Sequence, residues 1–184
     1  MANPLARLSR ERALLFVIDL QEKLLPAVHE ADACVAAAVK LIRGCQALGV
    51  PVIATEQYPA GLGPTCQSVR VLLGTEAPIE KLLFSGCVQS VRDAIAARGR
   101  DQLIITGTEA HVCVQQTVLD LLRDETDVWV CADAIASRRP FDCEMALHRM
   151  RQAGAVITTT ESVLFELLGQ AGTDDFKRIL KIVK

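Results

Sequence analysis

Aromatic side chains are scarce: one tryptophan, one tyrosine and five phenylalanines in 184 residues. A core built on large rings is therefore excluded. Small and branched aliphatics must fill the interior, which suits a parallel sheet packed tightly between helices. Excess charge of one sign is also lacking. The formal net charge is −2, whereas a nucleic-acid binder normally carries a basic excess on one face. No apolar run is long enough to span a bilayer, so no membrane partner is expected. The Met1–Glu11 segment carries arginine but no apolar centre and does not read as a signal peptide, which makes a cytoplasmic location the expectation. The seven cysteines, Cys34, Cys45, Cys66, Cys87, Cys113, Cys131 and Cys143, are irregularly spaced, with no CxxC pair and no Cys–His cluster of zinc-finger spacing. They read as reduced thiols of an intracellular protein. Glycine-rich phosphate loops are absent, so neither a dinucleotide nor any other cofactor is expected.

What is present is alternation. Continuous apolar runs at Ala13–Ile18, Pro51–Thr55, Pro78–Leu83, Gln102–Thr106, Asp127–Ala132 and Ala155–Thr158 read as strands. Helical spacing occupies Asp32–Leu48, Val88–Arg98, Cys113–Arg123, Phe141–Ala153, Ser162–Leu168 and Asp174–Val183, and several of these stretches stop at glycine. The pattern predicts an α/β chain, helices on both faces of a six-stranded parallel sheet. With no repeat, charge block or linker, residues 1–184 read as one domain, its core spanning about 13–168 and its last helix about 174–183.

Such sheets hold their ligands at the carboxyl ends of the strands, where the strand order reverses. Asp19 closes the first strand, Lys81 lies on or just after the third, and Cys113 follows the fourth. Cys113 sits where the run Thr106-Gly107-Thr108-Glu109-Ala110-His111-Val112-Cys113-Val114 passes from strand to helix. A thiol at a helix start meets unpaired N–H groups and tends to lose its proton early. An acid, a lysine and a cysteine make a nucleophilic site: the carboxylate moves a proton, the ammonium steadies both anions, and the thiolate attacks a carbonyl. Each has a plainer reading. Asp19 could cap the next segment, Cys113 could fill space, and pattern alone does not select Lys81 over Lys23 or Lys40.

The chain resembles the isochorismatase-like cysteine hydrolases. The likeness is carried by Val17-Ile18-Asp19-Leu20-Gln21, by Lys81 within Glu80-Lys81-Leu82-Leu83-Phe84-Ser85, by Gly107-Thr108-Glu109-Ala110-His111-Val112-Cys113-Val114, and by Asp133-Ala134 with Ser137-Arg138. It covers about Ala13–Leu168. The resemblance implies a Rossmann-like three-layer fold and a catalytic triad of Asp19, Lys81 and Cys113. It also implies a non-proline cis peptide at Thr108–Glu109 that aims the N–H of Glu109, with that of Cys113, at an oxyanion. It further implies a homo-oligomer, a dimer or tetramer.

Nicotinamidases of that family hold a metal through an Asp and two His after the second strand. The equivalent stretch here, Thr55 to Pro64, has no histidine, so no metal is expected. True isochorismatases typically lack the cysteine, so its presence favours covalent acyl chemistry on a small amide, imide or related carbonyl compound. The run Glu56 to Gly63 is similar to the subgroup called isochorismatase domain-containing proteins, whose substrates are poorly defined. A small-molecule pocket would include Gln21, Leu25, Gln57, Tyr58, Phe84 and His111, with Arg138 a candidate for a substrate carboxylate and Gln21 and Gln57 open to a structural role. Two other readings stand beside the hydrolase: a vestigial member acting through protein association, and a thiol redox protein without an adjacent resolving cysteine.

Overall fold

The computed structural model describes residues 6–184; the first five residues of the Met1–Glu11 segment lie outside the described residues. The strands are β1 (Ala13–Ile18), β2 (Val52–Gln57), β3 (Ile79–Lys81), β4 (Gln102–Thr108), β5 (Asp127–Ala136) and β6 (Val156–Thr158). They form one parallel sheet in the order β3-β2-β1-β4-β5-β6. The helices are α1 (Ala31–Ala47), α2 (Pro59–Leu62), α3 (Gln67–Leu73), α4 (Gln89–Arg98), α5 (Gln115–Arg123), α6 (Pro140–Gln152), α7 (Thr160–Leu168) and α8 (Asp174–Val183).

The two-residue period of β1 builds two cores from one strand. Ala13, Leu15 and Val17 face a layer that includes Leu41, Ile42, Leu164 and Ile179 from α1, α7 and α8. Leu14, Phe16 and Ile18 face the opposite layer, with Val91, Val118 and Met150 from α4, α5 and α6. Every residue of β1 is buried, which is why it reads as an unbroken apolar run rather than an alternation. Burying each large aliphatic side chain contributes about 1.5–3 kcal/mol.

Strands β1 and β4 are neighbours, and their connections leave in opposite directions. This is the reversal point at which a ligand crevice forms. Two departures from the sequence expectation shape it. β2 runs two residues past Thr55, so Glu56 and Gln57 are strand residues. β5 runs four residues past Ala132 because it bulges: Ile105 pairs with Val130, yet Gly107 pairs with Ile135. The Thr106 hydroxyl donates to the Ala134 carbonyl at 2.6 Å and holds the bulge. The extra residues deliver Ser137 and Arg138 to the end of β4. Helices α2 and α3, between β2 and β3, are additions that the apolar pattern does not announce.

At Gly107 the backbone has φ +132, and a Cβ there would strike the Ile18 carbonyl of β1. Only glycine combines that conformation with so close an approach of two strands. Gly107→Ala is expected to destabilise the protein by about 3 kcal/mol or more. Chemical denaturation checks this; a loss below about 1 kcal/mol would show that the two strands can part without cost.

Candidate functional site

Asp19 lies one residue beyond β1 in the left-handed region, φ 51, a conformation that aspartate adopts more readily than most residues. Its carbonyl accepts from the Thr108 hydroxyl at 2.8 Å and from the Gln21 N–H at 3.0 Å, which fixes the turn. Its carboxylate is fully buried and paired on both oxygens. Thr55 Oγ1 of β2 donates to Oδ1 at 2.8 Å, and Lys81 Nζ of β3 donates to Oδ2 at 2.6 Å. Two strand spacings, roughly 9.5 Å, separate the β1 and β3 backbones, and the long lysine stem crosses β2 to close that gap.

Lys81 Nζ faces four acceptors. Besides Asp19 they are Gln57 Oε1 at 2.7 Å and the carbonyls of Phe84 at 3.1 Å and Leu83 at 3.3 Å. Gln57 is steadied in turn by donating Nε2 to the Leu82 carbonyl at 2.9 Å. An ammonium has only three protons to give, so its charge is fully committed.

Cys113 does not open an α-helix. It sits in a π-helical turn, Ala110–Val114, ahead of α5. The Val114 N–H reaches the Glu109 carbonyl and the Gln115 N–H reaches that of Ala110, each five residues back. Such turns interrupt helices mostly where a side chain must be re-aimed. The Thr117 hydroxyl clamps the turn: it donates to the Cys113 carbonyl at 2.6 Å and accepts from the Gly86 N–H at 2.7 Å. Cys113 therefore lacks the helix-start setting on which an early-ionising thiol is expected. Burial pushes the Cys113 thiol up to about 12, Asp19 pushes it in the same direction, and Lys81 pulls it back. Cys34 and Cys45 are also pushed to about 12 by burial. What distinguishes Cys113 from those two is that both a carboxylate, Asp19, and an ammonium, Lys81, act on it by charge.

The remaining expected residues divide. Gln21 is buried with its amide occupied by backbone: Nε2 donates to the carbonyls of Gln57 and Gly63, and Oε1 accepts from the Gln57 N–H. It ties loops together and has no N–H left for a substrate. Gln57 serves Lys81. Tyr58 and Phe84 are 53% and 55% exposed beside Leu82 and Leu83, on the outer side of the lysine's cage. Leu25 lines an open cleft with Glu22 and Cys66. His111 holds its Nδ1 2.9 Å from Ser137 Oγ, on a buried serine that also lines a cavity of about 340 Å³ whose walls include none of Asp19, Lys81 and Cys113. Arg138 is committed to Glu109, its Nη2 donating to Oε1 at 2.7 Å, rather than left free for a substrate carboxylate. Thr55, Thr117 and Ser137 are the contributors that sequence reading missed. No local signal marks a threonine whose partner lies thirty-six residues away. The Thr108–Glu109 peptide is cis. Among the described residues no group of three or more His, Cys, Asp or Glu is arranged to hold a metal ion.

Residues 13–162 match the family described as the isochorismatase domain. Isochorismatase domain-containing protein 2 of Danio rerio is 38% identical over 182 residues, covering 97% of this chain and 90% of that protein. A Caenorhabditis elegans structure described as MAR1 ribonuclease superposes with a TM-score of 0.91 at 37% identity, covering 97% of this chain and 92% of that one. The ycaC gene product of Escherichia coli, described as an octameric hydrolase of unknown specificity, gives a TM-score of 0.90 at 26% identity, covering 98% and 91%.

The opposed effects of the two charges make a test. Asp19→Asn removes the carboxylate that raises the thiol, so alkylation of Cys113 by iodoacetamide at mildly alkaline pH should quicken. Lys81→Met removes the charge that lowers it, so alkylation should slow. Site-resolved mass spectrometry reads both rates; equal responses in the same direction would separate the thiol from these charges.

Proposed function

The chain belongs to the isochorismatase family, and from that premise we propose that it is a metal-independent cysteine hydrolase that opens small amides, imides or related carbonyl compounds through a thioester on Cys113. The observation that carries this reading is the fully buried Asp19–Lys81 pair at the carboxyl end of the sheet, with the buried Cys113 in the turn that follows β4. Asp19, Lys81 and Cys113 form the triad. Asp19 takes the thiol proton as sulfur attacks the carbonyl carbon and the C=O π pair moves onto oxygen. The backbone N–H groups of Glu109 and Cys113 receive that oxyanion. Its collapse expels the amine, which leaves with the proton held by Asp19. Water then attacks the thioester, Asp19 takes its proton, and the thiol is restored as acid is released. The net change is an amide plus water to an acid plus an amine. Lys81, with its charge committed, holds the Asp19 carboxylate in place and favours the thiolate. His111, Tyr58 and Phe84 border the substrate.

A ribonuclease reading, the description borne by the Caenorhabditis elegans relative, needs free cations for phosphate. The two at this site, Lys81 and Arg138, are already engaged. The chain's formal net charge of −2 adds no overall basic excess. We also read it as a single-domain homo-oligomer, supported by the exposed Tyr58, Leu82, Leu83 and Phe84 and by the octameric relative. Its seven unpaired thiols favour the cytoplasm, and no helix among the described residues is long and apolar enough to cross a membrane.

Cys113→Ala is expected to abolish turnover of whichever small amide or imide the wild type hydrolyses, by about a thousandfold or more, with circular dichroism unchanged. Wild-type protein quenched during turnover should carry the acyl group on Cys113 in a peptide map. Undiminished activity in the variant would rule the mechanism out.

A further inference from the structure

Glu109 is an acidic side chain where a negative charge is least helpful. It is only 5% exposed, and it belongs to the residue whose N–H receives the oxyanion in the proposed reaction. A fixed carboxylate there opposes the charge growing on the substrate oxygen. In a partly buried site such repulsion is worth roughly tenfold or more in rate.

Arg138 meets it with a fork. Nη2 donates to Oε1 at 2.7 Å, Nε lies 3.2 Å from Oε1 and 3.0 Å from Oε2, and the Arg138 backbone N–H donates to Oε2 at 2.8 Å. The guanidinium reaches in from the surface with 57% of its side chain exposed. Burial pushes the Glu109 carboxyl up, and the bonds and charge of Arg138 outweigh it, holding the group below the usual carboxylate range. The pairing depends on the β5 bulge that carries Arg138 to the end of β4. Glu109 in turn anchors the nucleophile's turn, since its carbonyl accepts from both the Val112 and the Val114 N–H.

We propose that Arg138 is a positioning residue of the reaction, acting through Glu109 as an electrostatic shield that keeps the buried carboxylate from opposing the oxyanion. The proposal rests on the cysteine-hydrolase reading, and its test needs no physiological substrate. Propanal and iodoacetamide serve as paired probes of Cys113. Propanal adds reversibly: the S–C bond forms, the C=O π pair moves onto oxygen, and the thiol proton passes to Asp19, which leaves that oxygen anionic. Iodoacetamide reacts at its CH2 carbon: the S–C bond forms, the C–I bond breaks, iodide leaves with the electron pair, and the thiol proton passes to solvent. Only the first reaction places charge where an oxyanion would sit.

The propanal adduct is measured by the protection it gives Cys113 against iodoacetamide, resolved by mass spectrometry, in wild type, Arg138→Ala, Glu109→Gln and the double variant. Arg138→Ala should weaken the adduct by about tenfold or more while the iodoacetamide rate stays within about twofold. The double variant, with neither charge, should return to within about threefold of wild type. Arg138→Lys keeps the charge without the fork and should fall between. No loss in Arg138→Ala, or an equal loss in the single and double variants, overturns the shield. Should Arg138→Ala not fold, Glu109→Gln alone decides: it should hold propanal as well as wild type or better, and a weaker adduct overturns the proposal. A wild-type Cys113 that reacts with neither probe defeats the hydrolase reading itself and this proposal with it.

Discussion

The carboxyl end of this sheet is organised around one buried ion pair, Asp19 with Lys81. Moving either charge out of water costs several kcal/mol, about as much as a small domain can spare, and mutual attraction alone does not recover it. The pair persists because every remaining valence is filled: Thr55 on the free carboxylate oxygen, and Gln57, Leu83 and Phe84 around the ammonium. These groups come from β2 and from the loop after β3, so satisfying the pair dictates where both segments run. It also accounts for the interlocked glutamines. Gln57 can present its amide to Lys81 only while Gln21 pins the Gln57 backbone from both sides. A buried pair so expensive contributes little to stability over an apolar replacement. Its presence is better understood as chemistry that the fold has been built to tolerate.

The same dry surroundings decide how the thiol behaves. In a polar, exposed setting a cysteine near a helix start would ionise readily. Here burial and the neighbouring carboxylate keep the proton in place. Reactivity therefore belongs to the arrangement rather than to the residue. In the proposed reaction the thiolate need exist only while Asp19 holds the proton, at the moment a carbonyl is present to accept the electron pair.

The fold was legible in the sequence wherever one residue's environment is set by its own neighbours along the chain. Ala13–Ile18 is apolar throughout because it is buried on both faces, and α8 was read with its true ends because its amphipathic stripe is local. Asp19 and Cys113 were legible as strand-end residues. Lys81 was not separable from Lys23 or Lys40 by pattern, because β3 is three residues long and the acceptors that define its lysine come from residues 19, 57, 83 and 84. The family resemblance, not periodicity, selected it. The β5 bulge was illegible for a similar reason: the hydroxyl that holds it belongs to β4, twenty-eight residues earlier. Gln21 shows the converse. Its residue type suggested a substrate contact, and only three-dimensional context reveals that its amide answers the backbone.

One consequence of the ion pair reaches the surface. The carbonyls of Leu82, Leu83 and Phe84 turn inward, to Gln57 and to Lys81. Their side chains therefore cannot also turn inward, and Leu82 and Leu83 stand 76% and 66% exposed beside Phe84 and Tyr58. Isolated exposed apolar residues are ordinary, but three in succession, Leu82, Leu83 and Phe84, are less so. Hydrophobicity alone would fold this loop under the sheet; the demand of a buried ammonium for carbonyl oxygens holds it out. The rim's apolar character is thus a by-product of charge burial, and polar substitutions at Leu83 and Phe84 would leave the lysine's cage intact because these residues contribute only their carbonyls to it.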